Sequence, residues 1–231
     1  VYEKCGSTYK HFMIDEFQDT SSLQWNNFRP LIENSLAAGN FAMVVGDVKQ
    51  SIYRWRNSDW KLLADQIEND FTVLGTKTST LDTNWRSSEN IIKFNNRIFT
   101  LAAKHLQSHF NEKLANVDEE LANQWRSKIE HAYGDVAQNI TQKNSGTGGY
   151  INLMFLEAKD EEESYDDRAV KQTMLMIKSI LDNGFAYKDI CVLVRKTDEA
   201  NLITNALLSG EHLGFACPVV SNEALMLSGS V

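Results

Sequence analysis

Residues 12–20 read Phe-Met-Ile-Asp-Glu-Phe-Gln-Asp-Thr, an apolar run that stops at two adjacent carboxylates, Asp15 and Glu16. The run predicts a short buried strand. In an open α/β sheet, ligands collect beyond the carboxyl ends of the strands, so Asp15 and Glu16 would face that crevice. There one carboxylate can hold Mg²⁺ while its neighbour orients a water against a terminal phosphate. Alone, two acids after a strand are more often solvated loop residues, and the sequence around them has to decide.

A second apolar run, residues 41–45, ends in Gly46-Asp47 and continues Val48-Lys49-Gln50-Ser51-Ile52-Tyr53-Arg54-Trp55-Arg56. Further on stands Leu81-Asp82-Thr83-Asn84-Trp85-Arg86-Ser87-Ser88. The ordered set D-E-F-Q-D-T, G-D-x-K-Q-S-I-Y-R-W-R and N-W-R-S resembles motifs II, III and IV of the superfamily 1 DNA helicases of the UvrD/Rep group. The Lys49-Gln50 form of the middle motif is most similar to the AddA and RecB helicase–nuclease branch. Order and spacing together make the match far more specific than any of the three motifs singly.

Composition narrows the class. The 231 residues are 42% hydrophobic, enough for one large or two small domains. No apolar run approaches the ~18 residues of a membrane span, and residues 1–5 lack the basic and apolar regions of a secretion signal. Cys5, Cys191 and Cys217 lie far apart without C-x-x-C spacing, which argues against a zinc site or a disulfide framework and fits a reducing cytoplasm. A net charge of −8 argues against a protein that coats duplex DNA through its overall field. Contact with DNA must then be local, and residues 49–56, where Lys49, Arg54 and Arg56 are interleaved with Tyr53 and Trp55, offer the charge and stacking surface that a single strand requires. On composition alone the same residues could be a core-facing aromatic pair with solvated cations.

Along the chain, helices alternate with strands, the pattern of a parallel sheet. Residues 23–38 read as a helix that Pro30 should kink or divide. Residues 59–69 and 89–105 carry helical apolar spacing, the second with Ser88 as a candidate cap. Residues 111–142 are polar and helical and look like an inserted helical pair rather than sheet. Asn144-Ser145-Gly146-Thr147-Gly148-Gly149 reads as a flexible joint. Beyond it, residues 150–156, 190–194 and 218–220 are expected strands, with helices over 164–183, ended by Gly184, and 199–208. The acids Asp160, Glu161, Glu162, Glu163, Asp166 and Asp167 suit the start of a helix and need no metal. His105 and His109 are spaced i, i+4 but lack the acid of H-E-x-x-H.

The resemblance supplies roles. It implies that Asp15 coordinates Mg²⁺, that Glu16 polarises the attacking water, and that Gln18 and Asp19 brace their loop. It makes Gln50 the γ-phosphate sensor, with Asp47 in the same loop. It places Tyr53 and Trp55 under single-stranded bases with Arg54 and Arg56 beside the strand. Trp85 takes the position of an aromatic that stacks on adenine, and Arg86 that of an arginine reaching the γ-phosphate across the cleft, a task suited to a permanently charged planar fork. Left to itself, Trp85 could equally be a core tryptophan.

A P-loop needs G-x-x-x-x-G-K-[ST], yet no glycine in this sequence is followed by lysine. The chain therefore reads as an internal segment of a longer helicase. The expected fold is α/β, parts of two RecA-like P-loop NTPase domains with parallel sheets: residues 1–80 complete the first motor domain, and 81–231 begin the second, with 111–142 inserted and 144–149 as a joint. The implied function is ATP-dependent 3′-to-5′ DNA unwinding with ATP and Mg²⁺, within a helicase–nuclease of double-strand break repair. Single-stranded DNA at a duplex end or junction is the implied substrate, and an AddB- or RecC-like subunit the implied partner. The alternative is a non-catalytic relative that binds DNA or a partner on the same fold. Retention of Asp15, Glu16, Gln50 and Arg86 together argues against it.

Overall fold

A computed structural model describes residues 9–73, 75–157 and 163–221. The chain divides after Ile151 into two compact units. The first opens with a βαβ unit. Strand β1, Phe12–Ile14, pairs in parallel with β2, Ala42–Val44, in the register Phe12 to Ala42 and Ile14 to Val44. Helix α1, Ser22–Ala37, connects them. Its start is written in the sequence: Ser21 Oγ accepts the Gln24 N–H at 3.2 Å, and Gln24 Oε1 accepts the Ser21 N–H at 2.9 Å, a reciprocal capping box.

The alternation of β1 sends Phe12 and Ile14 to the covered face and leaves Met13 exposed. That covered face packs on Phe17, Trp25, Ile32, Leu62 and Phe71, one contiguous core. Trp25 stands at its centre. Its ring meets Phe17 edge-on at 5.2 Å and Phe71 at 6.0 Å, and its indole N–H donates to Asp70 Oδ2 at 2.8 Å. The wall behind is a π-turn, Leu62–Gln66, running into α2, Ile67–Asp70. Of the two effects expected of Pro30, kinking or dividing α1, division does not occur. Pro30 is exposed, while Trp25, Leu31 and Ile32 on either side are buried, so packing holds the helix through the one missing hydrogen bond.

The rest of this unit is built on α3, Glu89–Lys113, with α4, Glu119–Trp125, and α5, Lys128–Ala132. Gln107 on α3 organises the group and is buried. Its amide donates to Asn111 Oδ1 at 2.8 Å and to the Trp125 carbonyl at 3.1 Å, and its oxygen accepts the Ile129 N–H at 2.8 Å. Two expectations need correction here. Residues 111–142 are not helical throughout, because Asn139–Ile140 forms strand β4, parallel to β3, Thr83–Asn84. Nor do residues 144–149 run as a loose joint. Asn144 donates to the Ser87 carbonyl at 2.9 Å, the Gly148 carbonyl accepts the Asn90 N–H at 2.8 Å, and Thr147 Oγ1 accepts the Glu89 N–H at 3.4 Å. This segment caps α3, and the Ser88 side chain makes no capping bond. The reason is physical: the N–H groups of a helix start need acceptors, and a glycine-rich backbone can approach closely enough to supply them.

In the second unit, α6, Tyr165–Asp182, and α7, Thr197–Ser209, enclose Met174, Ile177, Ala206, Leu207, Leu213 and Cys217. Ser164 Oγ accepts the Asp167 N–H at 3.1 Å, and Gly184, at φ +90°, follows the helix end as read from the sequence. The strands expected over 150–156, 190–194 and 218–220 are not formed. A strand exists only through a partner ladder, and no described residue pairs with these segments; Phe155 and Leu193 stand exposed. Asp160, Glu161 and Glu162 lie outside the described residues. Among the described residues no helix is long and apolar enough to cross a membrane.

Candidate functional site

Parallel pairing brings the carboxyl ends of β1 and β2 together and carries on into both following loops. The Val45 N–H donates to the Ile14 carbonyl at 2.8 Å, and the Phe17 N–H to the Val45 carbonyl at 3.0 Å. Between them Glu16 takes a left-handed backbone, φ 50° and ψ 41°, and turns the chain into a 3₁₀ turn over Phe17–Asp19. For a residue with a Cβ this conformation costs on the order of 1 kcal/mol, strain that concentrates where side chains are aimed for function. Asp15 and Glu16 are both exposed, and Asp15 Oδ1 accepts the Glu16 N–H at 2.9 Å.

Gln18 ties the loops together. It is buried to 1% exposure; its amide donates to Glu16 Oε2 at 2.7 Å, and its oxygen accepts the Asp47 N–H at 3.1 Å. Beside it, a Cβ on Gly46 would fall 2.7 Å from Gln18 Oε1 and 2.8 Å from Leu63 Cδ2, so a side chain at 46 would displace the tie. Asp19, expected to help brace the loop, donates its N–H to the Glu16 carbonyl at 3.0 Å, while its Oδ1 is buried without a hydrogen-bond partner.

Asp47 is the second junction. Its Oδ2 accepts from Gln50 Nε2 at 3.1 Å, and its Oδ1 accepts the Lys49 N–H at 3.0 Å, with the Lys49 ammonium 2.8 Å from Oδ1. Burial alone would raise its pKa. The hydrogen bonds from the Lys49 side chain and backbone and from Gln50 outweigh burial and hold the Asp47 carboxyl below its usual range. Burial likewise opposes the charge on Lys49, but its bonds to Asp47 and Asp135 keep the ammonium above the ordinary lysine value. Glu16, Gln18, Asp47 and Gln50 thus form one hydrogen-bonded chain across two strand ends.

Among the described residues no three His, Cys, Asp or Glu side chains gather as a metal cage. Mg²⁺ needs none, since it keeps several waters and is held by one or two carboxylates plus substrate phosphates. An exposed Asp15 at a strand end, its Oδ1 engaged only by the adjacent backbone N–H, fits that donor set.

The aromatic stretch is outside the core. Trp55 is 71% exposed, and Tyr53 lies beside it with ring centroids 6.2 Å apart. The Arg56 guanidinium sits 4.4 Å from the Trp55 ring centroid and 5.4 Å from that of Tyr53. This is a cluster of two rings tilted by 59° with a planar cation over both, a surface suited to bases. Arg54 is exposed in the same 3₁₀ turn, Arg54–Arg56.

Trp85 is 75% exposed and lies outside the core of these residues. The turn that presents Trp85 and Arg86 is held by Asn84, whose Oδ1 accepts the Arg86 and Ser87 N–H groups, each at 2.9 Å. Its amide in turn donates to Gln138 Oε1 at 2.8 Å. The structure brings Asp15, Glu16, Asp47 and Gln50 together; Trp85 and Arg86 make no hydrogen bond or ion pair with them. Sequence reading missed the structural parts of Gly46, Asn84, Gln138 and Asp135. Gly46 and Asn84 carried a signal, lying inside G-D and N-W-R-S. Asp135 carried none.

Comparison with known proteins finds two matching domain families and several similar chains. The UvrD/REP helicase N-terminal domain matches residues 1–72, and the UvrD-like helicase C-terminal domain matches residues 79–225. The chain is 30% identical to the exonuclease/helicase subunit RexA of Lactococcus lactis subsp. cremoris, over 96% of this chain and 17% of that protein. It is 38% identical to the RecBCD enzyme subunit RecB of Chlamydia muridarum over 47% of this chain and 10% of that protein. It is 28% identical to the ATP-dependent DNA helicase Rep of Buchnera aphidicola over 89% of this chain and 24% of that protein. The chain thus spans between a tenth and a quarter of the length of these relatives.

Proposed function

Because the chain belongs to the UvrD-like helicase family, with its RecA-like α/β fold, we propose that it forms adjoining parts of two motor domains of an ATP-dependent DNA helicase, of the helicase–nuclease kind that processes double-strand breaks. The observation that carries this reading is the continuous hydrogen-bonded chain Glu16–Gln18–Asp47–Gln50. An inert scaffold has no use for a strained glutamate and a tethered exposed amide at paired strand ends. ATP is the substrate, Mg²⁺ the metal, and single-stranded DNA at a duplex end or junction the track, followed 3′ to 5′. The RexA and RecB relatives are each named as a subunit, which supports a partner subunit; we take that partner to be of AddB or RecC type and the work to be cytoplasmic.

In this mechanism Glu16 accepts a hydrogen bond from the attacking water and aims it at the terminal phosphorus. Asp15 would hold Mg²⁺, which when bound would supply charge neutralisation at the phosphate oxygens. Gln50 donates its amide to a phosphate oxygen or accepts from the water without changing charge, and Asp47 sets its position. Trp85 stacks on adenine, and Arg86 meets the γ-phosphate charge from the second motor domain. That domain begins near residue 81, a boundary supported by the family matches on either side of residues 73–78. Tyr53 and Trp55 carry bases, with Arg54 and Arg56 beside them. These 231 residues contain no P-loop, so the phosphate cradle of this mechanism is not among them.

The test is Glu16→Gln in the full-length helicase. It keeps shape and nucleotide binding and removes the water-orienting charge, so ATP turnover should fall by roughly 10²-fold or more. Near-normal turnover with intact ATP binding would overturn the reading.

A further inference from the structure

Lys49 makes a contact that phosphate chemistry does not require. Besides Asp47, its ammonium holds Asp135 Oδ1 at 2.9 Å, 86 residues along the chain. The lysine side chain is only 18% exposed, so its charge depends on both carboxylates. Asp135 sits in the turn after α5, where the Gly134 N–H donates to the His131 carbonyl and the Val136 N–H to the Tyr133 carbonyl, both at 3.1 Å. Tyr133 stacks on Phe99 of α3, with ring centroids 6.5 Å apart. Gln138 is locked to α3 by reciprocal bonds with Asn96, each 2.9 Å. From there Gln138 and Asn139 hold Asn84 and Asp82 of the strand that leads into Arg86. Residues 133–140 therefore form a fixed strap, with Lys49 at one end and the Arg86 strand at the other.

We propose that Asp135 is a positioning residue that couples the Gln50 loop to the strand carrying Arg86, so that a displacement at one phosphate-sensing group is passed to the other. This rests on the ATP-hydrolysis reading above. Through Lys49, Asp135 fixes Asp47, and through Asp47 it fixes Gln50. The strap does not depend on this contact for its own fold. Lys128 pairs with Asp65 at 3.3 Å and Lys61 lies 5.6 Å from the Trp125 ring centroid, so the insertion has docking contacts besides Asp135.

The experiment is steady-state ATP turnover by the full-length helicase carrying Asp135→Asn, Asp135→Glu, Lys49→Met and the Lys49→Met/Asp135→Asn pair, with melting temperatures measured alongside. Asp135→Asn should lower kcat about fivefold, the scale of one partly exposed charged contact, with KM for ATP and the melting temperature unchanged. Asp135→Glu should retain most of the activity. In the Lys49→Met background Asp135→Asn should have no further effect, because the partner is already gone. Wild-type kcat in Asp135→Asn, independent additive losses in the pair, or a loss that follows melting temperature would each overturn the proposal. Glu16→Gln run in parallel separates the two readings: normal turnover there rejects the hydrolytic site itself, whereas abolished turnover beside an indifferent Asp135→Asn rejects only the coupling.

Discussion

Trp25, Trp55 and Trp85 show how one residue type is put to opposite uses. Trp25 is fully buried, wedged between two phenylalanines, with its N–H satisfied by Asp70. Trp55 and Trp85 expose most of their surface although burial of such a ring is strongly favourable. In the proposed function this exposure leaves both rings open to a flat ligand, and the Arg56 guanidinium lies over the Trp55 ring. Trp55→Ala in the full-length helicase should weaken single-strand binding by about 1–3 kcal/mol, the usual worth of one stacked base. Because so little of Trp55 is buried, the melting temperature should hardly change. Single-strand titrations beside thermal unfolding check this; unchanged affinity with a large drop in melting temperature would make Trp55 a packing residue instead.

At the scale of elements, helix ends and insertions are held by groups distant in sequence. Helix α3 starts at Ser88, the residue type expected to cap it, yet the acceptors come from Thr147 and Gly148. The insertion of α4 and α5 hangs on Gln107, whose amide fills the donor and acceptor needs of two turns at once. Removing that amide leaves the Ile129 N–H and the Trp125 carbonyl without partners, a loss of about 1–3 kcal/mol. Gln107→Ala should therefore loosen residues 119–132 selectively. Amide hydrogen exchange should accelerate there and stay slow in α1, which packs on a separate core. Uniform acceleration through both regions would show instead that the insertion and the α1 core unfold as one.

At the scale of the whole molecule, hydrolysis in the proposed mechanism requires groups from both motor domains: Asp15, Glu16 and Gln50 from one, Arg86 from the other. In this structure Arg86 is exposed and makes no ion pair with the strand-end groups. Nucleotide would favour the closed arrangement only through contacts that differ between open and closed states, and Arg86 is such a contact. Arg86→Ala in the full-length helicase should lower ATP turnover on the order of a thousandfold, as loss of a transition-state arginine does. Single-strand affinity without nucleotide should stay as it was. Distances between labels on the two domains, with and without a non-hydrolysable ATP analogue, supply the second readout; full closure by the variant would remove Arg86 from this role.

What the sequence determined by itself was local or periodic. The apolar run ending in Asp15-Glu16 located β1, α1 was legible over residues 23–38, and Gly184 marked the end of α6, because strands and helix ends are set within a few residues; the Ser21–Gln24 capping box emerged only in the structure. The three motifs carried the family, since phosphate and base chemistry allow few residue types at those positions. Tertiary structure decided what depends on partners far along the chain. Packing carried α1 through Pro30, and a remote glycine-rich segment capped α3. Asn139–Ile140 became a strand because Thr83–Asn84 lay beside it, while, among the described residues, 150–156, 190–194 and 218–220 found no partner strand. The contact of Lys49 with Asp135 belongs to the same class. Two charges separated by 86 residues leave no mark on either stretch of sequence, and only the fold brings them within 2.9 Å.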